Sequence, residues 1–310
     1  MTAQRMRLDA HRWHLSHGPI DIVAEAHGDP YAVAAAHDAA WARFVHVLDE
    51  LVLDLPLLRQ PVAAASRPRS VVARRMWEAC APLAATGFIT PMAAVAGSVA
   101  QELIAFYDRR GVERAWINNG GDIALHLAPG ASVRVGVFSD LASFDPRDAG
   151  RIAVDGAFEV TSAMPVRGVA TSGWRGRSFS LGIADSVTVM AATAAQADAA
   201  ATVIGNAVDV DDAGITRRPA SECKDDSDLG DTPVTTQVAA LAPAQVRRAL
   251  QAGAECAAAL QGQGLIVSAV LACQGQWQVV EPLCSSARGA AAAERALPKA
   301  PGNAVGSVFA

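Results

Sequence analysis

Arg114-Ala115-Trp116-Ile117-Asn118-Asn119, then Gly120-Gly121, then Asp122-Ile123-Ala124-Leu125-His126-Leu127-Ala128 is the stretch on which the reading of this chain turns. Two short alternating runs flank a pair of glycines, which predicts strand, tight turn, strand. Working outward, Ser132–Phe138 (SVRVGVF), Ala157–Ser162 (AFEVTS) and Phe179–Met190 (FSLGIADSVTVM) repeat the alternating pattern and are joined by Gly, Asp and Pro turns. Upstream, a short His-bearing lead precedes a strand over Pro19–Glu25, and Gly28-Asp29-Pro30 marks a turn. Tyr31–Leu53 spaces Trp41, Phe44, Val45 and Leu48 at helical intervals, and Pro56 is expected to end that helix. Arg59–Ser70 reads as a surface loop and Val71–Ala81 as a helix. Thr90-Pro91 reads as an N-cap with Pro at the first helical position, opening a helix to about Asp108 that Gly111 closes. The residues Ala93, Ala94, Ala96, Gly97, Ser98 and Ala100 would let that helix approach a neighbour closely.

Downstream, Ala194–Val208 and Pro243–Leu260 read as helices, Asp209–Asp231 as a polar, acidic loop, and Leu265–Ala272 and Gln276–Val280 as strands. Clustered strands with flanking helices predict an α+β fold with a mixed or antiparallel sheet rather than a doubly wound parallel one. Residues 1–284 are expected to form one domain. The Ala-, Gly-, Ser- and Pro-rich residues 285–310 are expected to form a disordered tail.

The composition narrows the function classes. Of 310 residues, 51% are hydrophobic and 18% charged, enough apolar side chain for a sizeable core. Lys plus Arg number 26 against 31 Asp plus Glu, a formal net charge of −5, so non-specific nucleic-acid binding is not expected. The stretch Val187–Val208 is interrupted by Gln196 and Asp198, so no membrane span is expected. The five cysteines (Cys80, Cys223, Cys256, Cys273, Cys284) have no C-x-x-C spacing, which suits reduced, inert thiols in a cytoplasm. His11, His14 and His17 share a three-residue spacing but have no Cys or acidic partner nearby, so a native metal site there is not expected. Ala-rich helices allow close subunit packing, and a homo-oligomer is expected.

Several segments could carry chemistry. Asn119, Gly120, Gly121 and Asp122 form a turn whose glycines permit positive φ and turn backbone N–H groups toward a ligand; a plain hairpin explains the same residues. Thr171, Ser172 and Gly173, followed by Arg175 and Arg177, make a Gly-rich loop suited to an anionic group, since Arg matches carboxylate or phosphate with two prongs. Asp198 and Thr202 share a helix face and offer hard oxygen donors of the kind Mg²⁺ prefers; an ordinary exposed helix face accounts for them equally. Asp185 interrupts an apolar run, either as strand-edge decoration or as a placed polar group.

Thr90–Gly97 (TPMAAVAG), Asn119–Ile123 (NGGDI), Ala170–Gly173 (ATSG), Gly182–Ser186 (GIADS) and Ala197–Thr202 (ADAAAT), in that order, resemble an ApbE-like family of bacterial proteins, distant kin of the ApbE flavin transferases. Residues 226–231 (DSDLGD) resemble that family's C-terminal segment, and the resemblance spans residues 10 to 280. It implies a T-fold-like α+β architecture with a pocket formed by these loops. In ApbE itself the Gly-Gly-Asp turn and the Ala-Thr-Ser-Gly loop help hold FAD, and the Asp and Thr matched here by Asp198 and Thr202 help bind Mg²⁺. FMN passes to a threonine of a partner protein. The ApbE segment H-x-x-D-P-x-T-G has no counterpart, and Trp174–Ser180 (WRGRSFS) stands in its place.

A bacterial desulfhydrase that releases sulfide from a thioxo-imidazolidine propionate during ergothioneine breakdown is also similar to this family. The leading expectation is therefore hydrolysis of the C=S group of a small anionic heterocycle, with no cofactor or with Mg²⁺. Asp122 and Asp185 would be the acid–base groups, and Asn119, Gly120, Gly121, Thr171, Ser172, Gly173, Arg175 and Arg177 would hold the substrate. Flavin transfer using FAD, or a non-catalytic flavin- or metabolite-binding role, are the alternatives.

Overall fold

The chain opens with three strands, β1 (Gln4–Arg7), β2 (Arg12–His17) and β3 (Ile20–Gly28), followed by helices α1 (Pro30–Leu58), α2 (Val71–Cys80) and α3 (Val95–Ile104). Strands β4 (Val112–Asn119), β5 (Asp122–Leu127), β6 (Ser132–Val137), β7 (Gly156–Thr161), β8 (Gly168–Ser172) and β9 (Ser186–Ala191) come next, then α4 (Ala194–Ala207). The remainder is β10 (Ile215–Pro219), α5 (Ala220–Cys223), β11 (Pro233–Val238), α6 (Pro243–Gly262), β12 (Ser268–Cys273), β13 (Gln276–Val280) and β14 (Ser307–Phe309). The computed structural model describes residues 2–62, 67–137, 155–224 and 227–283, with the backbone of β14.

Nine strands form one sheet in the order β1-β2-β3-β4-β5-β8-β9-β12-β13, and every neighbouring pair is antiparallel. Alternation sorts side chains to its two faces. Ala115, Ile117, Ala124, Ala170, Val187 and Val189 face a helical layer and share its core with Phe44, Leu103 and Tyr107. Trp116, Ile123, Leu125, Val169 and Met190 face the other way, against Val133, Val135 and Val160 of β6 and β7. The fold is α+β, with helices on one sheet face and a small second sheet (β14-β6-β7) on the other. A fully buried side chain such as Phe44 contributes about 1.5–3 kcal/mol.

Local chemistry explains where the structure departs from expectation. The His-bearing lead is not a loose segment but part of the sheet: β2 pairs with β3 and β1 with β2, and their polarity reflects a position at the sheet edge. Pro56 does not end α1, which runs to Leu58. Thr90 makes no capping hydrogen bond; its Oγ1 donates to Asp228 Oδ2 at 2.5 Å, and Pro91–Ala94 is 3-10 helix before α3 begins. That helix stops at Ile104, and 3-10 geometry takes over through Tyr107. The acidic segment Asp209–Asp231 is not all loop, since it holds β10, paired with β11, and α5. Ala170–Ser172 is the end of β8 rather than loop, whereas Phe179–Asp185 lies outside any strand. The tail expected over 285–310 lies outside the described residues apart from β14, which runs parallel to β6. No single helix among the described residues is long and apolar enough to cross a membrane.

Candidate active site

The β4–β5 turn requires its glycines. Gly120 and Gly121 have φ of +70° and +111°, where an L side chain is strained, and Gly121 N–H donates to Asn118 Oδ1 at 2.8 Å. The residues flanking the turn, Asn119 and Asp122, are register partners and project toward the helical layer. Asn119 Nδ2 donates to the carbonyl of Ala96 at 3.1 Å, fixing the turn to the start of α3. Asp122 Oδ1 accepts from the backbone N–H of Thr171 at 3.3 Å, fixing it to β8.

The first turn of α3 has backbone N–H groups without helical partners. Two of them, at Ala96 and Gly97, serve Asp198 of α4; the Gly97 bond to Oδ2 is 2.8 Å. The helices meet closely because residue 97 has no side chain: a Cβ there would stand 2.3 Å from the carbonyl oxygen of Ala194 and 2.8 Å from Asp198 Cβ. The stripe of small residues therefore has a packing reason. Along α4, Asp198, Thr202 and Gly205 follow at four- and three-residue steps on one face. A Cβ at Gly205 would lie 3.8 Å from Ser172, at the end of β8.

Asp122 and Asp198 thus come from a hairpin turn and from a helix, close enough for the charge of one to act on the other. Both keep partial solvent contact while deep among protein atoms, and neither makes an ion pair among the described residues. Burial pushes the Asp122 carboxyl up to about 7, against the Thr171 N–H and the Arg177 charge. Burial, and then the Asp122 charge, push Asp198 well above the usual carboxylate range. Burial and the charge of Asp122 on Asp198 make it costly for both acids to ionise together.

The other candidates sit around this pair in different ways. Ser172 lies beside Gly205, while the Thr171 hydroxyl meets that of Thr188 at 2.9 Å. Gly173 closes a turn through its carbonyl and Gly176 N–H at 3.0 Å. Asp185 anchors framework: its oxygens accept from Trp174 Nε1 at 3.3 Å and from the backbone N–H of Gln274 at 2.5 Å. Arg175 lies over the Trp174 ring, 4.8 Å from its centroid. Arg177 reaches back over the β4–β5 turn, with Nη2 donating to the carbonyl of Pro19 at 3.1 Å. Asp185→Ala is expected to release Trp174, seen as a red shift and broadening of tryptophan emission; an unchanged spectrum would mean that the loop is held by other contacts.

The backbone donors that Ala96 and Gly97 give to Asp198 are parts of the candidate site that the sequence did not single out; the small-residue run was their only signal. Cys80 is buried beside Asp198, and burial together with that charge raises its thiol, so it is no nucleophile. Cys273 is likewise buried and free, and Cys284 lies outside the described residues. His14 pairs with Asp21 at 2.9 Å on one face of β2, His17 is buried on the other, and His11 stacks on His27. Among the described residues no group of three His, Cys, Asp or Glu side chains is placed to hold a metal.

The family described as AbpE bacteria matches residues 3–279. The chain belongs to that family. Among its relatives, a UPF0280 protein of Methanosarcina acetivorans is 31% identical over 199 residues, 61% of this chain and 70% of its own length. A UPF0280 protein of Methanopyrus kandleri is 39% identical over 155 residues (50% and 56%), and one of Methanospirillum hungatei 36% over 127 residues (40% and 47%). The chain thus spans about half the length of the last two. The crystal structure of the ApbE protein of Thermotoga maritima aligns with 89% of this chain and 96% of its own at 13% identity and a TM-score of 0.47. The apo flavinyl transferase ApbE of Pseudomonas stutzeri aligns with 91% and 96% at 12% identity, also with a TM-score of 0.47.

Proposed function

We propose that this AbpE-family chain is an enzyme whose chemistry takes place in the Asp122–Asp198 cleft, and that its reaction is Mg²⁺-dependent transfer of the FMN half of FAD to a protein hydroxyl. The observation that carries this reading is the approach of two carboxyl groups with no basic ion-pair partner among the described residues, and with the Thr202 hydroxyl one helical turn beyond Asp198. The donor set fits the cation. Mg²⁺ is commonly bound by one or two carboxylates and completes its shell with substrate phosphates and water, so a cluster of three protein acids is not required. Asp198 and Thr202 would hold it, and it would supply charge neutralisation at a diphosphate.

The chain's own residues supply the rest. Ser172 lies beside Gly205 of α4, and the Gly120–Gly121 turn carries Asp122 on the sheet face that the helices cover. Asp122, poised near neutrality, accepts the proton of the attacking hydroxyl. The acceptor oxygen bonds to the phosphorus of the FMN half, the bond to AMP breaks, and AMP leaves with the electron pair.

A second reading has its own supporting observation, the arginine-bearing Trp174–Ser180 segment beside an acid that titrates near 7. It is hydrolysis of the C=S group of 3-(5-oxo-2-thioxoimidazolidin-4-yl)propionate. Water gives a proton to Asp122 and its oxygen to the thiocarbonyl carbon, the C–S bond breaks, and hydrosulfide leaves with hydantoin-propionate. One pair of incubations separates the two. With FAD, Mg²⁺ and a flavin-acceptor domain, the first expects a covalently fluorescent acceptor, lost in EDTA. With the thiohydantoin, the second expects sulfide. Neither product from a folded chain would overturn both.

A further inference from the structure

The geometry points to Arg177 as the residue that selects an anionic ligand, taking a phosphate or carboxylate group at the mouth of the cleft through a seat that Gly120 leaves open. This rests on the reading of the cleft as the active site. Two arginines border the site, and the structure separates them. Arg175 has its guanidinium spread over the Trp174 ring, and that ring is tied to Asp185. Arg177 instead crosses to the β4–β5 turn. Its Nη1 lies 3.0 Å from where a Cβ of residue 120 would stand, and its Nη2 is steadied by the carbonyl of Pro19 in the β2–β3 turn. Any side chain at position 120 would crowd the guanidinium.

Arg177 is solvent-exposed, and its hydrogen bond to Pro19 uses a single nitrogen, so the planar fork retains donors for a bidentate partner. Its charge also reaches Asp122, two residues beyond Gly120. With no ligand bound, the guanidinium partly compensates Asp122. A ligand carrying its own negative group, and a cation for the carboxylates, would take over both interactions. The fork cannot be exchanged for an ammonium without loss, because Lys offers a point charge and no planar pair of donors. A neutral ligand of the same ring system gains nothing from Arg177, so the residue sets specificity rather than affinity for the ring.

The test compares wild type, Arg177→Gln and Arg177→Lys by calorimetric titration. FAD is set against riboflavin, the thiohydantoin propionate against its propionamide, and inorganic diphosphate is titrated alone. Arg177→Gln should weaken the charged member of whichever pair binds by about 10- to 100-fold and the neutral member by less than about 3-fold, with Arg177→Lys between. The pair that responds identifies the source of the anionic group. Equal weakening of charged and neutral ligands, or no weakening, would overturn the assignment. If neither organic pair binds wild type, the reading of the cleft fails; loss of diphosphate binding in Arg177→Gln would then still uphold the anion seat, and no diphosphate binding to wild type would overturn it. Matching thermal melts of the three proteins distinguish a lost ligand contact from a lost fold.

Discussion

Asp198→Asn should lower turnover by at least about 100-fold and at the same time raise the melting temperature above pH 7. The loss follows because the amide is a weaker ligand for a cation and cannot share a proton with Asp122. The gain follows from linkage. Asp122 and Asp198 both have folded-state values above the ordinary carboxylate value of roughly 3.9, so folding favours their protonated forms. That contribution is fully present below pH 4 and is lost as the pH rises through about 7, where Asp122 ionises. Without divalent ions, wild type should therefore melt lower at pH 8 than at pH 5. Asn keeps an oxygen for the Gly97 N–H but brings no charge, so the variant should show a shallower pH slope. Melting curves at the two pH values check this, and parallel slopes would show that the acids do not share a proton. A site more stable without its acid is the expected mark of a group kept for chemistry.

The second large effect is at Gly97. An added methyl would stand 2.3 Å from a backbone oxygen of the neighbouring helix, and backbone cannot rotate away as a side chain can. Gly97→Ala should force α3 and α4 apart, costing about 2–3 kcal/mol and lowering the melting temperature by about 5–10 °C. It should also break the Gly97–Asp198 hydrogen bond, so activity should fall further than stability explains. Gly262→Ala in α6 is the contrast, since its Cβ meets nothing within 4 Å and Ala is the better helix former. That variant should melt at or slightly above wild type. Equal behaviour of the two would remove close helix approach as the reason for Gly97.

The sequence made the periodic elements legible and hid those whose partners lie far along the chain. The Ala115–Ile117 and Ile123–Leu127 alternation, the helix over α4 and the turn between Asn119 and Asp122 follow from local pattern, and the structure has them there. β1 and β2 were hidden because an edge hairpin rich in Arg and His lacks an apolar run, and only its pairing with β3 makes it strand. Thr90 looked like a helix cap because hydroxyl before proline usually is one. Nothing local to it announces Asp228, which accepts its hydrogen bond from 138 residues away. In the site, the carboxylates could be named from sequence, but not that each acts on the other or that the first turn of α3 supplies N–H donors to Asp198 and the end of β8 one to Asp122. Those are relations between a hairpin, a strand end and two helices, each unremarkable alone.

The acids arise from a two-residue turn and from the middle of a helix, both bound to neighbouring backbone, whereas Arg177 extends from a segment outside any strand or helix. The floor of the proposed cleft is thus fixed by backbone donors, and its rim is tied by side-chain contacts of Trp174 and Arg177. Residence time of a guest would be governed at the rim, through substitutions near Trp174, and the rate of bond making at the floor. Variants of the two regions should then separate cleanly when release and single-turnover rates are measured independently.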